Sequence, residues 1–537
     1  MRLSRLLALA CLALAAAAGP ARAGAGTSLA PPMRLPALGA SAAAGPATWI
    51  IGARPGARTV AARYGARPAS INGAYVVARD RARGLARALR RRGLLVYAEP
   101  NGILRRHTAR DPLSDTAGWR DYIVNPTLAE PSVGPASPQL ALIDTPVDLS
   151  HPEFAGAHVT TTQPGTPFFD EHGTATAAVA AAPVNGQGIV GVWPGMRAVN
   201  VASPETFTCA DSARGIDTAI KLHVSTINMS YGSPGLCFAE YVELQFAVAR
   251  GIVLVAAAGN EFNAGNPLEF PASLPHVLTV AAIGPDAHPA FFSNANAAVD
   301  LAAPGLSILT AVPTAFDDDG PVDGYARLSG TSFAAPMVAA AATWVRAARP
   351  GLTADQIAQV VRLSAHDLEK PGWDAATGFG LLDIDAALRQ EAPPADPFEP
   401  NDDIVWVDGT VFARPFPPVY RSGRGRTFDA SLDQFEDPAD VYRVRVPAKT
   451  RLRIEVRPTL GDADLAVFDR KAKSTSSRTH RIGRSHRTGL RTERVTVLNK
   501  KNQAVTIYAE ATVDPSAPGL DAAYEMTIRR LRFHARR

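Results

Sequence analysis

Val253-Leu254-Val255-Ala256-Ala257-Ala258-Gly259-Asn260 is apolar without interruption until it stops at Gly-Asn. A strand with one wet face alternates apolar and polar residues, so a run this continuous reads as a strand buried on both faces. Similar runs stand at Leu140 to Ile143, Val224 to Met229 and Val277 to Ile283. Helix-like stretches separate them: Thr174 to Ala182, Asp211 to Leu222, Tyr241 to Arg250, Ser332 to Arg346 and Thr353 to Ser364. Buried strands alternating with helices predict an α/β domain, a parallel sheet covered by helices on both faces. Its texture begins at Gln139 and ends near Leu388.

The flanks read differently. Trp49 to Ile51, Ala74 to Val77 and Leu94 to Tyr97 are short strands around an amphipathic basic helix, Asp80 to Arg91. They predict a small α+β unit over 48–105, following a flexible Ala/Gly/Pro-rich leader at 24–47. The central region would then occupy 106–391, with its first part polar and bearing Arg105, Arg106 and Arg110 just upstream or within it. A Pro-rich acidic linker at 392–398 precedes 399–537, where short, partly alternating segments predict an all-β sandwich.

Three segments of the central region carry chemistry. Asp144 ends the buried run Leu142-Ile143-Asp144-Thr145, His172 opens an Ala-rich helix in Glu171-His172-Gly173-Thr174-Ala175, and Ser332 opens another in Gly330-Thr331-Ser332-Phe333-Ala334-Ala335-Pro336. Acyl transfer needs a nucleophile, a base that takes its proton, and a carboxylate that orients the base. Strand ends and helix starts hold such groups at the carboxyl edge of a parallel sheet. The Ser332 backbone N–H, at a helix N-terminus, can also stabilise an oxyanion. Asn260, at the end of the quoted strand, supplies a second amide donor.

The order Asp, His, Asn, Ser and these words resemble the subtilisin-like serine peptidases. Asn228-Met229-Ser230-Tyr231-Gly232 and Gly378-Phe379-Gly380-Leu381-Leu382-Asp383 extend the resemblance, which covers about 138–390. It implies a subtilisin-like fold, serine endopeptidase activity on polypeptide substrates, and no cofactor for the chemistry. Asp144, His172 and Ser332 would be catalytic and Asn260 would be the oxyanion donor. Ser230, Tyr231, Gly232, Ala257, Ala258 and Gly259 would line the substrate cleft, their small side chains favouring a broad cleft for apolar residues. It also implies that 48–105 is an inhibitory propeptide, removed by self-processing between Ile103 and Asp111. Residues 399–537 resemble a bacterial C-terminal prepeptidase domain through Glu399-Pro400-Asn401-Asp402, Asp440-Val441-Tyr442 and Gly461-Asp462-Ala463-Asp464-Leu465. A structural calcium would use Glu153, Asn185 and carbonyls around Gly188; an ordinary loop is the competing reading. Pro146 and Ala175 depart from the family words, where Gly and a second His are usual.

Composition narrows the setting. The 537 residues are enough for about three or four folding units. They are 46% hydrophobic and 20% charged, with a net charge of only +5, and basic and acidic residues are mixed. That argues against nucleic acid as a partner. Arg2 and Arg5, the apolar run Leu6 to Ala18 and Ala21-Arg22-Ala23 form a secretory signal peptide over 1–23. The run is shorter than the about 20 apolar residues that a membrane anchor needs. A lipoprotein cleavage at Cys11 would leave little apolar sequence before it. A secreted monomer, extracellular or periplasmic, without a transmembrane segment, is expected. Cys209 and Cys237 remain after signal removal and read as one disulfide, the alternative being two buried thiols. The dense basic stretch Arg470 to Arg494 reads as a solvated loop, with a polyanion or anionic cell surface as the alternative. An exported binding or adhesion protein with an inactive peptidase fold is the competing function. An esterase is disfavoured, because Ser332 lies in neither its usual word nor its usual order.

Overall fold

The computed structural model describes residues 48–69, 73–101, 105–106, 109–110, 119–125, 128–320, 322–396, 398–434, 436–513 and 521–531. The signal peptide and leader lie outside the described residues. The chain divides into two units, one containing 101–393 with 69–72 and the other containing 1–68, 73–100 and 394–537. Each is treated separately.

In the second of these, the N-terminal part is a four-stranded sheet in the order β2-β3-β1-β4. Its strands are β1 (Thr48–Ala53), β2 (Arg67–Pro68), β3 (Ala74–Ala78) and β4 (Leu95–Pro100), with helices α1 (Arg58–Ala62) and α2 (Arg79–Arg90). Leu85 and Leu89 of α2 are buried with Trp49 and Ile51 of β1 in one apolar cluster, as the amphipathic spacing predicts.

The larger unit holds a seven-stranded sheet in the order β14-β13-β12-β10-β7-β9-β8. These are β7 (Gln139–Asp144), β8 (Val159–Thr161), β9 (Arg197–Ala202), β10 (Thr226–Met229), β12 (Val253–Ala257), β13 (Val277–Ile283) and β14 (Leu301–Pro304). Every pairing is parallel. β12 and β13 are buried at every residue, which is why their sequences show no alternation. The helices are α3 (His172–Ala181), α4 (Cys209–Lys221), α5 (Phe238–Val248), α6 (Thr331–Ala348), α7 (Ala354–Leu363) and α8 (Ile384–Arg389). α6 packs across β10, β12, β13 and β14 and against α3, while α4 contacts β7 and β9, and α5 contacts α4 and β12. Five further short strands lie in the unit among the described residues: β5 (Arg105–Arg106) pairs with β11 (Tyr231–Gly232), and β16 (Tyr325–Ser329) joins β15 (Ile308–Ala311) to β6 (Ala109–Arg110). Among the described residues, no helix is long and apolar enough to cross a membrane.

The C-terminal part has two four-stranded antiparallel sheets, β17-β24-β19-β22 and β18-β23-β20-β21. The strands are β17 (Gly425–Asp433), β18 (Ala439–Val446), β19 (Thr450–Leu460), β20 (Ala463–Asp469), β21 (Arg481–Ser485), β22 (Glu493–Asn499), β23 (Val505–Val513) and β24 (Asp521–Leu531), after a short helix α9 (Ile404–Val407). One apolar core draws residues from both sheets, including Val444, Ile454, Val467 and Met526. β21 corrects the reading of the basic stretch as loop. Arg481 to Ser485 pair with β20 along the sheet edge, and their basic side chains stay largely exposed. An edge strand guarded by charge resists further pairing.

Candidate active site

The sheet order alone brings the chemistry together. Asp144 ends β7, Ser230 follows β10 and Asn260 follows β12, and these three strands are neighbours. Their loops leave the same carboxyl edge, where ligands bind in parallel sheets.

Asp144 is buried, and its oxygens are held by donors. Oδ1 accepts the His172 ring Nδ1 at 2.6 Å and the Thr145 N–H at 2.7 Å, and Oδ2 accepts the Thr176 hydroxyl at 2.9 Å. His172 begins α3, and its backbone N–H donates to Asp170 Oδ1. Gly173 is obligatory beside it: its N–H donates to the Thr145 hydroxyl at 2.7 Å, and a Cβ would sit 2.0 Å from the Thr145 carbonyl oxygen. Helix and strand end therefore approach more closely than any other residue would allow. Ala175 is fully buried, so the second histidine usual in the family would be an ionisable group in an apolar setting.

Ser332 lies in the first turn of α6. Its hydroxyl donates to the Ser230 carbonyl at 3.1 Å, and the Ser230 hydroxyl donates to the Ser332 carbonyl at 2.8 Å. Pro336 makes the second bond available. An ordinary residue there would spend its N–H on the Ser332 carbonyl four residues back, whereas proline has none. The following residue, Phe333, has its ring centroid 5.9 Å from that of His172.

Asn260 is oriented by the same turn. Its Oδ1 accepts the Thr331 N–H at 2.9 Å and the Thr331 hydroxyl at 3.0 Å, which fixes the amide so that Nδ2 is the other end. Asn260 Nδ2 is buried and has no hydrogen-bond partner among the described residues. Asn260 N–H donates to Glu261 Oε2, and Gly259 N–H donates to the Thr331 hydroxyl. Gly259 has φ +107°, the left-handed region that favours glycine. Of the cleft residues read from sequence, Ser230, Tyr231, Gly232, Ala257, Ala258 and Gly259 are all buried along these strand ends. β5 lies antiparallel on the cleft strand, Arg106 opposite Tyr231 and Arg105 opposite Gly232.

Cys209 and Cys237 are joined, with Cα atoms 5.8 Å apart, tying the first turns of α4 and α5. Behind them Glu240 is fully buried, and burial pushes its carboxyl up to about 8. Ser212 bridges it to the cleft, donating to Glu240 and bonding the Tyr231 hydroxyl at 2.8 Å.

Glu153, Asn185 and Gly188 do come together, but around a tyrosine. Glu153 Oε2 accepts the Tyr325 hydroxyl at 2.6 Å and the Ile189 N–H at 3.2 Å. The Asn185 amide nitrogen faces the Pro152, Glu153 and Ala155 carbonyls, and its oxygen accepts the Gln187 N–H. A Cβ on Gly188 would fall 1.9 Å from the Tyr325 ring. Among the described residues, Glu153 Oε1 is the one side-chain oxygen of this set without a protein donor, so the side chains do not form an oxygen cage for calcium as arranged. In the C-terminal part, Asp396, Glu399, Asp437 and Asp440 bring carboxylate oxygens within 4.8 Å of one another, a spacing that an oxygen-ligated cation accepts.

Sequence reasoning missed Thr176, Thr331, Glu261 and Glu269. Thr331 lies inside a motif word, Thr176 directly follows one, and Glu261 directly follows Asn260. Glu269 has no local signal, because its link to the site is tertiary.

Residues 136–380 match the family model described as the Subtilase family. Subtilisin DY of Bacillus licheniformis is 31% identical over 264 residues, spanning 47% of this chain and 92% of that protein. Fervidolysin of Fervidobacterium pennivorans is 30% identical over 289 residues, spanning 47% of this chain but only 41% of its own length. The crystal structure of fervidolysin aligns with a TM-score of 0.55 at 18% identity, covering 86% of this chain and 90% of that one. At that identity the likeness concerns the fold.

Proposed function

The chain belongs to the subtilase family of serine endopeptidases, and from that premise we propose that Ser332, His172, Asp144 and Asn260 perform the reaction in a secreted, self-processed enzyme. His172 takes the Ser332 proton as the hydroxyl oxygen attacks the scissile carbonyl. The carbonyl π electrons move to oxygen, where Asn260 Nδ2 and the Ser332 N–H stabilise the negative charge. His172 then gives the proton to the leaving amine, and the C–N bond breaks to leave an acyl-enzyme. Water repeats the sequence and releases the acid. Asp144, accepting from Nδ1, holds the His172 tautomer in which the other ring nitrogen is the base. The observation that carries this reading is the 2.6 Å His172–Asp144 bond with Asp144 gripped by Thr145 and Thr176. Ser332→Ala should abolish peptide hydrolysis and labelling by a fluorophosphonate while the fold persists. Activity within about tenfold of wild type would end the assignment, because triad members act as a unit.

The pairing of β5 with β11 and of β6 with β16 supports self-cleavage between Ile103 and Asp111. The described strands on either side approach the cleft from Tyr231 and from Ser329 respectively, and Ser332 lies just beyond the latter. Residues 48–105 then act as the inhibitory propeptide and 1–23 as the export signal. Residues 399–537 serve surface attachment or capture of large substrates. In the Ser332→Ala precursor, expressed in a host without other proteases, the cut should fail and one chain should persist.

A further inference from the structure

Between Arg470 and Arg494 the chain carries nine Lys or Arg residues and a single acid, Glu493, which is fully buried. The segment is folded. A short 3-10 turn, Arg478–His480, leads into β21, which pairs with β20. The turn before β22 is held by the Gly489 N–H, which donates to Asp462 Oδ2 at 2.7 Å. Across the strand pair Arg484 stands opposite Ala466 and Arg481 opposite Phe468, so register puts both arginines on one face. Lys473, Arg484 and Arg494 are paired with Asp408, Asp464 and Glu455. The other six, Arg470, Lys471, Arg478, Arg481, Arg487 and Arg491, are exposed and form no ion pair among the described residues. One or two charges are enough to keep a strand edge from pairing. Six uncompensated cations repel one another, a cost that an anionic partner removes.

The apolar residues among them give the partner its character. Leu490 is 62% exposed in the turn between β21 and β22, with Arg487 and Arg491 on either side of it, and Ile482 is 48% exposed on the edge strand. A soluble polyanion presents charge without an apolar layer. A lipid surface presents both, with phosphates at the level of the guanidinium groups and hydrocarbon just beneath. Five of the six unpaired cations are arginine, whose planar fork takes two phosphate oxygens at once. We propose that this hairpin docks the protein on anionic membranes: its arginines bind phospholipid phosphates, and Leu490 enters the edge of the acyl layer. The proposal deepens the surface-attachment reading of residues 399–537 and rests on it.

The test is co-sedimentation of the exported chain, carrying Ser332→Ala against self-digestion, with vesicles of phosphatidylcholine alone or mixed equally with phosphatidylglycerol. Partitioning onto the anionic vesicles should exceed that onto phosphatidylcholine by at least about 30-fold at low salt, and fall by at least about tenfold at about 0.5 M salt. Arg487→Ser with Arg491→Ser should lower it roughly 30-fold. Leu490→Ser should lower it about tenfold and leave the salt dependence unchanged, which a purely electrostatic contact would not show. Equal partitioning onto both vesicles, or an unchanged partition coefficient in either variant, overturns the proposal. Retention on a sulfated polysaccharide column without vesicle binding also overturns it and makes the partner a soluble polyanion. A chain that ignores vesicles yet stays on whole bacterial cells ends the lipid proposal and leaves surface attachment standing; a chain that binds neither ends both.

Discussion

Two groups of buried carboxylates solve opposite problems. Asp144, at the end of β7, is surrounded by donors: an imidazole, a backbone N–H and a hydroxyl. Asp437 and Asp440, in the C-terminal part, are surrounded by other acids. Burial first, then the negative charge of Glu399 and its neighbours, holds both well above the usual carboxylate range. Asp440 has one strong donor, the Tyr524 hydroxyl at 2.6 Å, and Asp437 Oδ1 has none among the described residues. The difference teaches that burial does not by itself fix the charge of an acid. The donors that the fold places around it do.

That contrast can be broken most severely at Asp144. Asp144→Asn preserves shape but donates where it should accept, so the His172 tautomer is lost. A fall in kcat of about 10⁴ is expected, with circular dichroism unchanged. A loss below tenfold would show that the donors around Asp144 serve structure alone.

The opposite sign is expected in the acidic group. With folded values raised above the unfolded ones, the folded C-terminal part holds protons that the unfolded chain has released. Its stability therefore falls as pH rises above about 4. Asp437→Asn, measured with a chelator present, should raise the Tm of this part at pH 8 by roughly 4–8 °C and change little at pH 4. A lowered Tm at pH 8 would mean that the carboxylates are held charged by partners.

Glu240 sharpens the comparison with the smallest effect, since it shares the Asp144 unit but resembles the acidic group in its burial. Its value rises from 4.5 to about 8, so its protonated form stabilises the fold below about 4.5 and that contribution is lost as pH climbs through 8. In a Ser332→Ala background, which prevents self-digestion, Glu240→Gln should flatten the decline in Tm between pH 5 and 8. A slope identical to that of the parent would show that Glu240 keeps no proton.

The legibility of these sites in the sequence follows from where their contacts lie. Asp144, His172, Asn260 and Ser332 could be read because each sits in a local word at the end of an uninterrupted apolar strand or the start of an apolar helix. The helix starts were less sharp: α3 begins at His172 and α6 at Thr331, so both of the proposed catalytic side chains are within the first turn. Glu269 was illegible, because the Ser233–Phe270 bridge and the close pass at Gly259 that bring it beside the Asn260 turn are tertiary. The Glu153 loop misled for a related reason. Its segment has the right oxygens, but Tyr325, far along the chain, claims one of them. β17 escaped notice because its first residues, Gly425 to Thr427, are exposed and polar, leaving no clean alternation.

The seven-stranded sheet also governs timing. Asp144 lies on one of the first strands of its unit and Ser332 on a helix made after all seven, so the reactive constellation cannot exist in a partly synthesised chain. Parallel pairings also join segments distant in sequence, which makes such sheets slow to form. The architecture is thus a delay line: the proposed catalytic set stays incomplete while the polypeptide is being made, and it is assembled only when the last sheet contacts close.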